Sequence, residues 1–206
     1  MTGLIIIFMF IAISYIIEIQ KKQEEKDQIV KDYIETKLDL YTELKNEFED
    51  DFKPNKWNAI LDKDLSIRFL NETVLFDLDK ADVKSTFKDI LRDFFPRYLG
   101  IIMKDKYRDK IAEVRIEGHT DPSGEYFYNV NLSQARTTNV MKFLLTDALK
   151  GFRKLNQKEE DLLRFWLTSN GYSWGRTLDS ENNFTLISGQ AVDYPKSRRV
   201  EFRIIT

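Results

Sequence analysis

The sequence predicts an α/β fold of the α+β kind, a two-layer sandwich with helices on one face of a mixed sheet, preceded by an N-terminal transmembrane helix and a helical neck. Three observations predict it. Alternating apolar and polar residues at 65–70 and 199–206 read as half-buried strands. Runs of helical period at 84–104 and 132–148 lie between them, so strands alternate with helices. The first 17 residues carry no charge, and a charged stretch of helical pattern follows them to residue 52.

Taken in order, the elements start with residues 4–17, LIIIFMFIAISYII, closed by Glu18 and Lys21-Lys22. A membrane span needs roughly 20 residues, so this run is at the short limit. It lacks the basic start and the small-residue cleavage site of a secretory signal. A buried core helix is the bland alternative, but nothing nearby in sequence offers it a partner face. The expected division is a transmembrane helix at 1–19, an amphipathic neck at 20–53 and a folded domain at 54–206. In the neck, Val30, Ile34, Leu38, Tyr41, Leu44 and Phe48 share one helical face. That face packs either on its own domain or on a second copy, and a stripe of under three heptads does not decide between them. Pro54 ends the segment.

In the domain, residues 65–70 form a strand, and 72–76 its hairpin mate or a short second strand, around Asn71-Glu72. Residues 84–104 form a helix with Phe87, Ile90, Leu91, Phe94, Phe95 and Leu99 inward, broken or kinked at Pro96. Residues 112–117 form a strand with Val114 and Ile116 on one face. Residues 132–148 form the second main helix, with Leu132, Val140, Phe143 and Leu144 apolar. A further helix is expected at 159–169, and the last strand at 199–206.

Composition excludes several classes. The net charge of −2 offers no nucleic-acid footprint, and the chain has no cysteine and a single histidine, which argues against thiolate and His-ligand metal centres. Asp77 and Asp79 have no accompanying ligand cluster, and Ser133 has no histidine base close by in sequence. No catalytic residue, metal site or cofactor is expected, and the chain is not expected to be an enzyme.

The most informative stretch is Thr120-Asp121-Pro122-Ser123-Gly124 followed by Asn129-Val130-Asn131-Leu132-Ser133-Gln134-Ala135-Arg136. It sets an acid after a strand and a base on the next helix. Held a few ångströms apart, the two can grip a zwitterion: Asp121 takes an ammonium group, and Arg136 takes a carboxylate through its planar fork. The pattern T-D-x-x-G…N-x-x-L-S-x-x-R resembles that of OmpA-like peptidoglycan-binding domains, whose ligand is the diaminopimelate of cell-wall stem peptides. Further segments are similar in order: Val74-Leu75-Phe76-Asp77-Leu78-Asp79-Lys80, residues 111–118, Gly171-Tyr172, and Ser197-Arg198-Arg199-Val200-Glu201-Phe202. The resemblance implies backbone contacts from Phe76 and Leu132, and hydrogen bonds from Asn129 and Thr120. It gives His119 no role. It leaves one of Arg198 and Arg199 facing the pocket loop and the other structural. Two departures stand out. Ser197 replaces the family's Asn, which puts a side-chain hydrogen bond there in doubt, and residues 149–168 are longer than the usual connection.

The N-terminal segment and neck resemble those of MotB-like proteins, and the short neck with a compact domain is most similar to the membrane subunit of Zorya-type antiphage systems. That resemblance implies a single-pass inner-membrane protein with its C-terminal domain in the periplasm. It implies a homodimer, a MotA-like multi-pass membrane partner, and ion-driven work against peptidoglycan. The structural rival is a passive membrane-to-wall tether without ion flux. Residues 1–10 resemble the part of a MotB-like span just after its ion-carrying aspartate. An aspartate two residues upstream of Met1, in a longer reading frame, is therefore expected.

Overall fold

The computed structural model describes residues 2–70 and 72–206, with side chains for all of these except residues 2–6, 8, 72, 73 and 151. Part of the apolar run (Leu4, Ile5, Ile6 and Phe8 as side chains) and the Asn71 turn position therefore lie outside the described residues. Helix α1 spans Thr2–Phe48. The chain divides into two compact units, Met1–Leu38 and Asp39–Thr206. Among the described residues, no helix is long and apolar enough to cross a membrane.

In the first unit, Val30, Ile34 and Leu38 are exposed on α1. Within the second unit, the last turns of the same helix behave differently. Leu40, Leu44 and Phe48 are fully buried in the core, and Phe48 stacks on Phe52 at 5.6 Å and meets Phe94 at a tilt, 5.3 Å away. The end of the helical stripe thus packs on its own domain.

The sheet has the order β1-β2-β5-β3-β4. Strands β1 (Ala59–Leu61), β2 (Ser66–Phe69), β5 (Arg199–Ile205) and β3 (Glu113–His119) pair antiparallel in that sequence, and β4 (Leu167–Gly171) joins β3 in parallel. The hairpin mate of β2 is β1, not residues 72–76. A turn at 62–65, with Leu65 at φ 66°, closes that hairpin, while Glu72–Leu75 forms the short helix α2. Phe76 only bridges to Val83.

The helices α3 (Ser85–Ile102) and α5 (Tyr126–Thr146) cover one sheet face, with the one-turn α4 (Asp105–Arg108) between them. Pro96 sits inside α3 without breaking it: the residues around it, Phe94, Phe95, Tyr98 and Leu99, are fully buried, and that packing outweighs the lost backbone bond. Helix α5 starts six residues before its expected start at Leu132. Its buried residues include Asn129, Ser133, Arg136 and Thr137, so its first half is helical without being apolar inside. The expected helix at 159–169 is α6 (Gln157–Trp166), opened by an Asn156–Glu159 capping box, and its last residues belong instead to β4.

Period-2 alternation gives the sheet two unlike faces. Val114, Ile116, Ile67, Phe69, Val200, Phe202 and Ile204 point into the core. Glu117, His119, Arg199, Glu201 and Arg68 are just as buried, on the other side. The segment between β4 and β5 covers that side, including the one-turn helices α7 (Thr185–Ser188) and α8 (Tyr194–Ser197). Asn182 O accepts from Arg68 Nη1 at 3.3 Å, and the Arg68 guanidinium lies 5.6 Å from the Phe184 ring centre.

Candidate functional site

The site forms where β3 ends and α5 begins. Asp121 follows β3 and is buried; its Oδ1 accepts from Ser123 N at 2.7 Å, and Gly124 turns the chain at φ 81°. Asn129, also buried, donates from Nδ2 to Ser123 O (2.7 Å) and Glu125 O (3.1 Å), so it shapes the loop. Thr120 N donates to Ser173 O at 2.9 Å, while its buried Oγ1 has no partner among the described residues.

Arg136 reaches from α5 to the opposite wall. Its Nε donates to Lys80 O at 2.9 Å and its Nη2 to Asp77 O at 3.3 Å, and the guanidinium lies 4.8 Å from the Phe76 ring centre. Two carbonyls and one ring face fix its plane. Leu132 is half-buried beside these residues.

Arg198 links the acid to the base. Its Nη1 is paired with Asp121 Oδ2, and it shares with Arg136 and Phe76 the wall of a cavity of about 10 Å³, room for one small polar group. Burial pushes the Asp121 carboxyl up, but the Ser123 hydrogen bonds and the Arg198 guanidinium outweigh it and hold the carboxyl below its usual range. Asp121 is therefore an anion at neutral pH. Within the pair the Arg198 side chain is 25 % exposed and the Asp121 side chain 8 %. Of the two candidate arginines, Arg198 faces the loop. Arg199 is buried in the charged sheet face, its Nε 2.5 Å from Glu201 Oε1.

Ser197 makes a side-chain bond after all: its Oγ accepts from Leu178 N at 3.0 Å, and it is fully buried. Ser133 is committed to structure, donating to Val130 O at 3.0 Å and accepting from Ser173 N at 3.1 Å. The pairing of Arg198 with Asp121 had no signal of its own in sequence, because the two residues are 77 positions apart.

Glu117, His119 and Glu201 place three potential ligand atoms within 4.8 Å of one another. They do not suit a metal ion. Glu201 Oε1 already faces Arg199 Nε at 2.5 Å and Arg68 Nε at 3.2 Å, Glu117 Oε2 lies 3.4 Å from Arg176 Nη1, and Arg203 lies within 3.3 Å of both acids, so a cation would sit against four guanidinium groups. His119 is packed there as a neutral ring, stacked on Tyr172 at 5.4 Å and 8°. Burial, aided by the Arg199 charge, pushes its pKa down to about 3.

This has a measurable consequence. An unfolded histidine takes a proton near pH 6.5 and the folded His119 only near 3, so the unfolded state binds the extra proton between those values. Stability is fully present above pH 6.5 and is lost as pH falls through that window. Denaturant midpoints of the full chain in detergent should fall across it, and His119→Gln should flatten the dependence. An identical slope in the variant would remove His119 as the cause.

No family model matches the chain. The whole chain aligns at 34 % identity with Zorya protein ZorB of Escherichia coli strain ATCC 8739, covering 84 % of that protein. The crystal structure of a MotB-like protein from Desulfovibrio vulgaris is similar at a TM-score of 0.52 and 21 % identity, over 84 % of this chain and 96 % of that one. The cell wall anchor of the type VI secretion system from Pseudomonas aeruginosa gives a TM-score of 0.49 and 20 % identity, over 79 % and 96 %. With a curated relative above 30 % identity along its full length, the chain belongs to the ZorB family of Zorya proteins.

Proposed function

We propose that this chain is the wall-anchoring, MotB-like subunit of a Zorya-type defence complex and that it grips the diaminopimelate end of a peptidoglycan stem peptide between Asp121 and Arg136. The observation that carries this is a buried acid, Asp121, paired with Arg198, which in turn lines a small cavity together with the buried base Arg136 and Phe76. Buried charge is costly and adds little to a core, so its placement here suits a ligand. A ligand ammonium replaces Arg198 on Asp121, the ligand carboxylate meets the guanidinium of Arg136, and the Thr120 hydroxyl gains a partner. Asn129 holds the loop, and Phe76 and Leu132 wall the site.

In the same reading residues 1–19 cross the inner membrane, 20–53 form the neck and 54–206 lie in the periplasm. Ile7, Met9, Phe10, Ile11, Ile13, Ile16 and Ile17 are all exposed on α1, which suits a lipid surround. The exposed Val30, Ile34 and Leu38 offer a stripe to a second copy. A MotA-like multi-pass partner would supply the rest of an ion path, and the anchor would hold the complex against the wall while ions flow.

The test is binding. Asp121→Asn keeps the acceptor for Ser123 N but removes the charge, and Arg136→Ala removes the fork. Loss of one hydrogen bond to a charged group costs about 1.5–3 kcal/mol, roughly ten- to a hundredfold in affinity. Pull-down of the full chain with purified sacculi should fall accordingly for each variant. Retention equal to wild type in both would refute the assignment.

A further inference from the structure

Three consecutive aromatic residues open α5, and all are open to solvent: Tyr126 is 40 %, Phe127 78 % and Tyr128 51 % exposed. Trp174 adds a fourth ring. Tyr126 meets it edge-on at 5.0 Å and 85°, and meets Phe127 at 5.7 Å and 80°. Trp174 Nε1 is a buried donor with no partner among the described residues, although indole donors in such positions are usually satisfied. The backbone ties this platform to the Asp121 loop. Ser173, next to Trp174, accepts from Thr120 N at 2.9 Å and donates from Oγ to Tyr126 O at 2.9 Å. Asn129, one turn along α5 from Tyr126, holds Ser123 O.

We propose that Tyr126, Phe127 and Trp174 form a second subsite, which binds the glycan strand of the polymer whose stem peptide occupies the Asp121–Arg136 site; the inference rests on that reading. Two arguments choose this occupant. The first is covalent reach. A stem peptide is bonded to its sugar, and three extended residues span at most about 10 Å, so the glycan must pass over the surface bordering the site. The second is chemistry. A pyranose has an apolar C–H face and a rim of hydroxyl and amide groups. The platform offers ring faces and a phenol hydroxyl among the exposed polar residues Ser123, Glu125 and Asn131, next to an indole N–H that is buried and without a partner among the described residues. A lipid surface would favour a continuous apolar patch instead.

The experiment compares two soluble probes on the full chain in detergent: a diaminopimelate-containing tripeptide, and the same tripeptide linked to its N-acetylglucosamine–N-acetylmuramic acid disaccharide. The wild type should bind the disaccharide-peptide at least fivefold more tightly than the tripeptide. Phe127→Ala, at an exposed position, and Trp174→Phe, which removes the indole donor and part of the ring surface, should each erase that advantage and leave tripeptide affinity unchanged. Equal affinity of the wild type for both probes would overturn the subsite while leaving the stem-peptide site standing. So would variants that lose both probes equally, or Phe127→Ala abolishing vesicle binding or self-association while sparing the sugar advantage. If the wild type binds neither probe, the stem-peptide reading itself fails, and the subsite falls with it.

Discussion

Replacing Glu201 with alanine is expected to lower the stability of the domain by about 3–5 kcal/mol, the cost of leaving buried charge uncompensated. The sheet register explains why. Glu117 lies directly opposite Glu201, and Arg115 opposite Arg203, pairings of like charge that by themselves destabilise a sheet. Compensation comes from other neighbours on the same face. Glu201 Oε1 faces Arg199 Nε at 2.5 Å and Arg68 Nε at 3.2 Å, and Arg203 spans both acids, at 3.1 Å from Glu201 and 3.3 Å from Glu117. Burial alone would push the Glu201 carboxyl up; the Arg199 and Arg68 charges outweigh it and hold the carboxyl below its ordinary range. Its contribution is therefore present above the unfolded carboxylate pKa and is lost as pH falls through the folded value. Without Glu201, Arg199 and Arg68, 2 % and 6 % exposed, keep their charges beneath the 172–198 segment with fewer anions. The double variant Arg199→Met/Glu201→Leu, which removes both signs, should recover most of the loss. Denaturant titration of the full chain checks this. A single variant costing less than about 1 kcal/mol, or a double variant as unstable as the single, would show that the network is not what holds this face.

That charged face also marks the limit of what the sequence made legible. Alternation at 199–206 identified β5, but Arg199, Glu201 and Arg203 looked like a solvated side. They are covered because a segment rich in turns folds over them, and its own pattern announces no packing. The strand β4 was missed for a related reason: Thr168-Ser169-Asn170-Gly171 lacks the apolar and β-branched run of a buried strand and is half-buried at the sheet edge. In α5 the inward positions Asn129, Ser133, Arg136 and Thr137 keep helical spacing, but their polarity hid the helix start, which apolar periodicity set at Leu132. The same polarity carried the motif, because two of its members, Asn129 and Arg136, are among those inward polar residues, and Asp121 lies on the loop that leads into α5. Periodicity thus found the core helices and the three inner strands β2, β5 and β3, and not the edge strands β1 and β4. The motif pointed to Asp121, Asn129 and Arg136 as candidates, whereas the long-range pairing of Arg198 with Asp121 needed the fold.

Gly171→Ala is expected to cost about 3 kcal/mol, the upper end for inserting one methyl group into a packed interior, and Gly171→Val to prevent folding. Helix α5 lies against the sheet through two glycines. A Cβ at Gly171 would fall 2.4 Å from Gln134 N, 2.7 Å from Gln134 Cα and 2.7 Å from Ser133 Oγ; one at Gly118 would fall 2.7 Å from Ser133 O and 2.7 Å from Thr137 Cγ2. At Gly171 the two nearest obstacles are backbone atoms, so no rotamer change relieves them and the helix must move outward. Gln134 also clamps this point, accepting from Gly171 N at 2.9 Å and donating to Ser169 O at 3.1 Å. Because α5 carries Asn129 and Arg136, a displaced helix would pull Asn129 from Ser123 O and Arg136 from the Lys80 and Asp77 carbonyls. The folded fraction of Gly171→Ala should therefore bind sacculi more weakly, although Gly171 contributes no side chain to the site. The control is Gly100→Ala: an added Cβ there meets nothing within 4 Å, and an exposed alanine inside α3 should stabilise by about 0.5–1 kcal/mol. Thermal and denaturant melts of the two variants separate the cases. If Gly171→Ala proves as harmless as Gly100→Ala, the close helix–sheet approach does not set the position of the site.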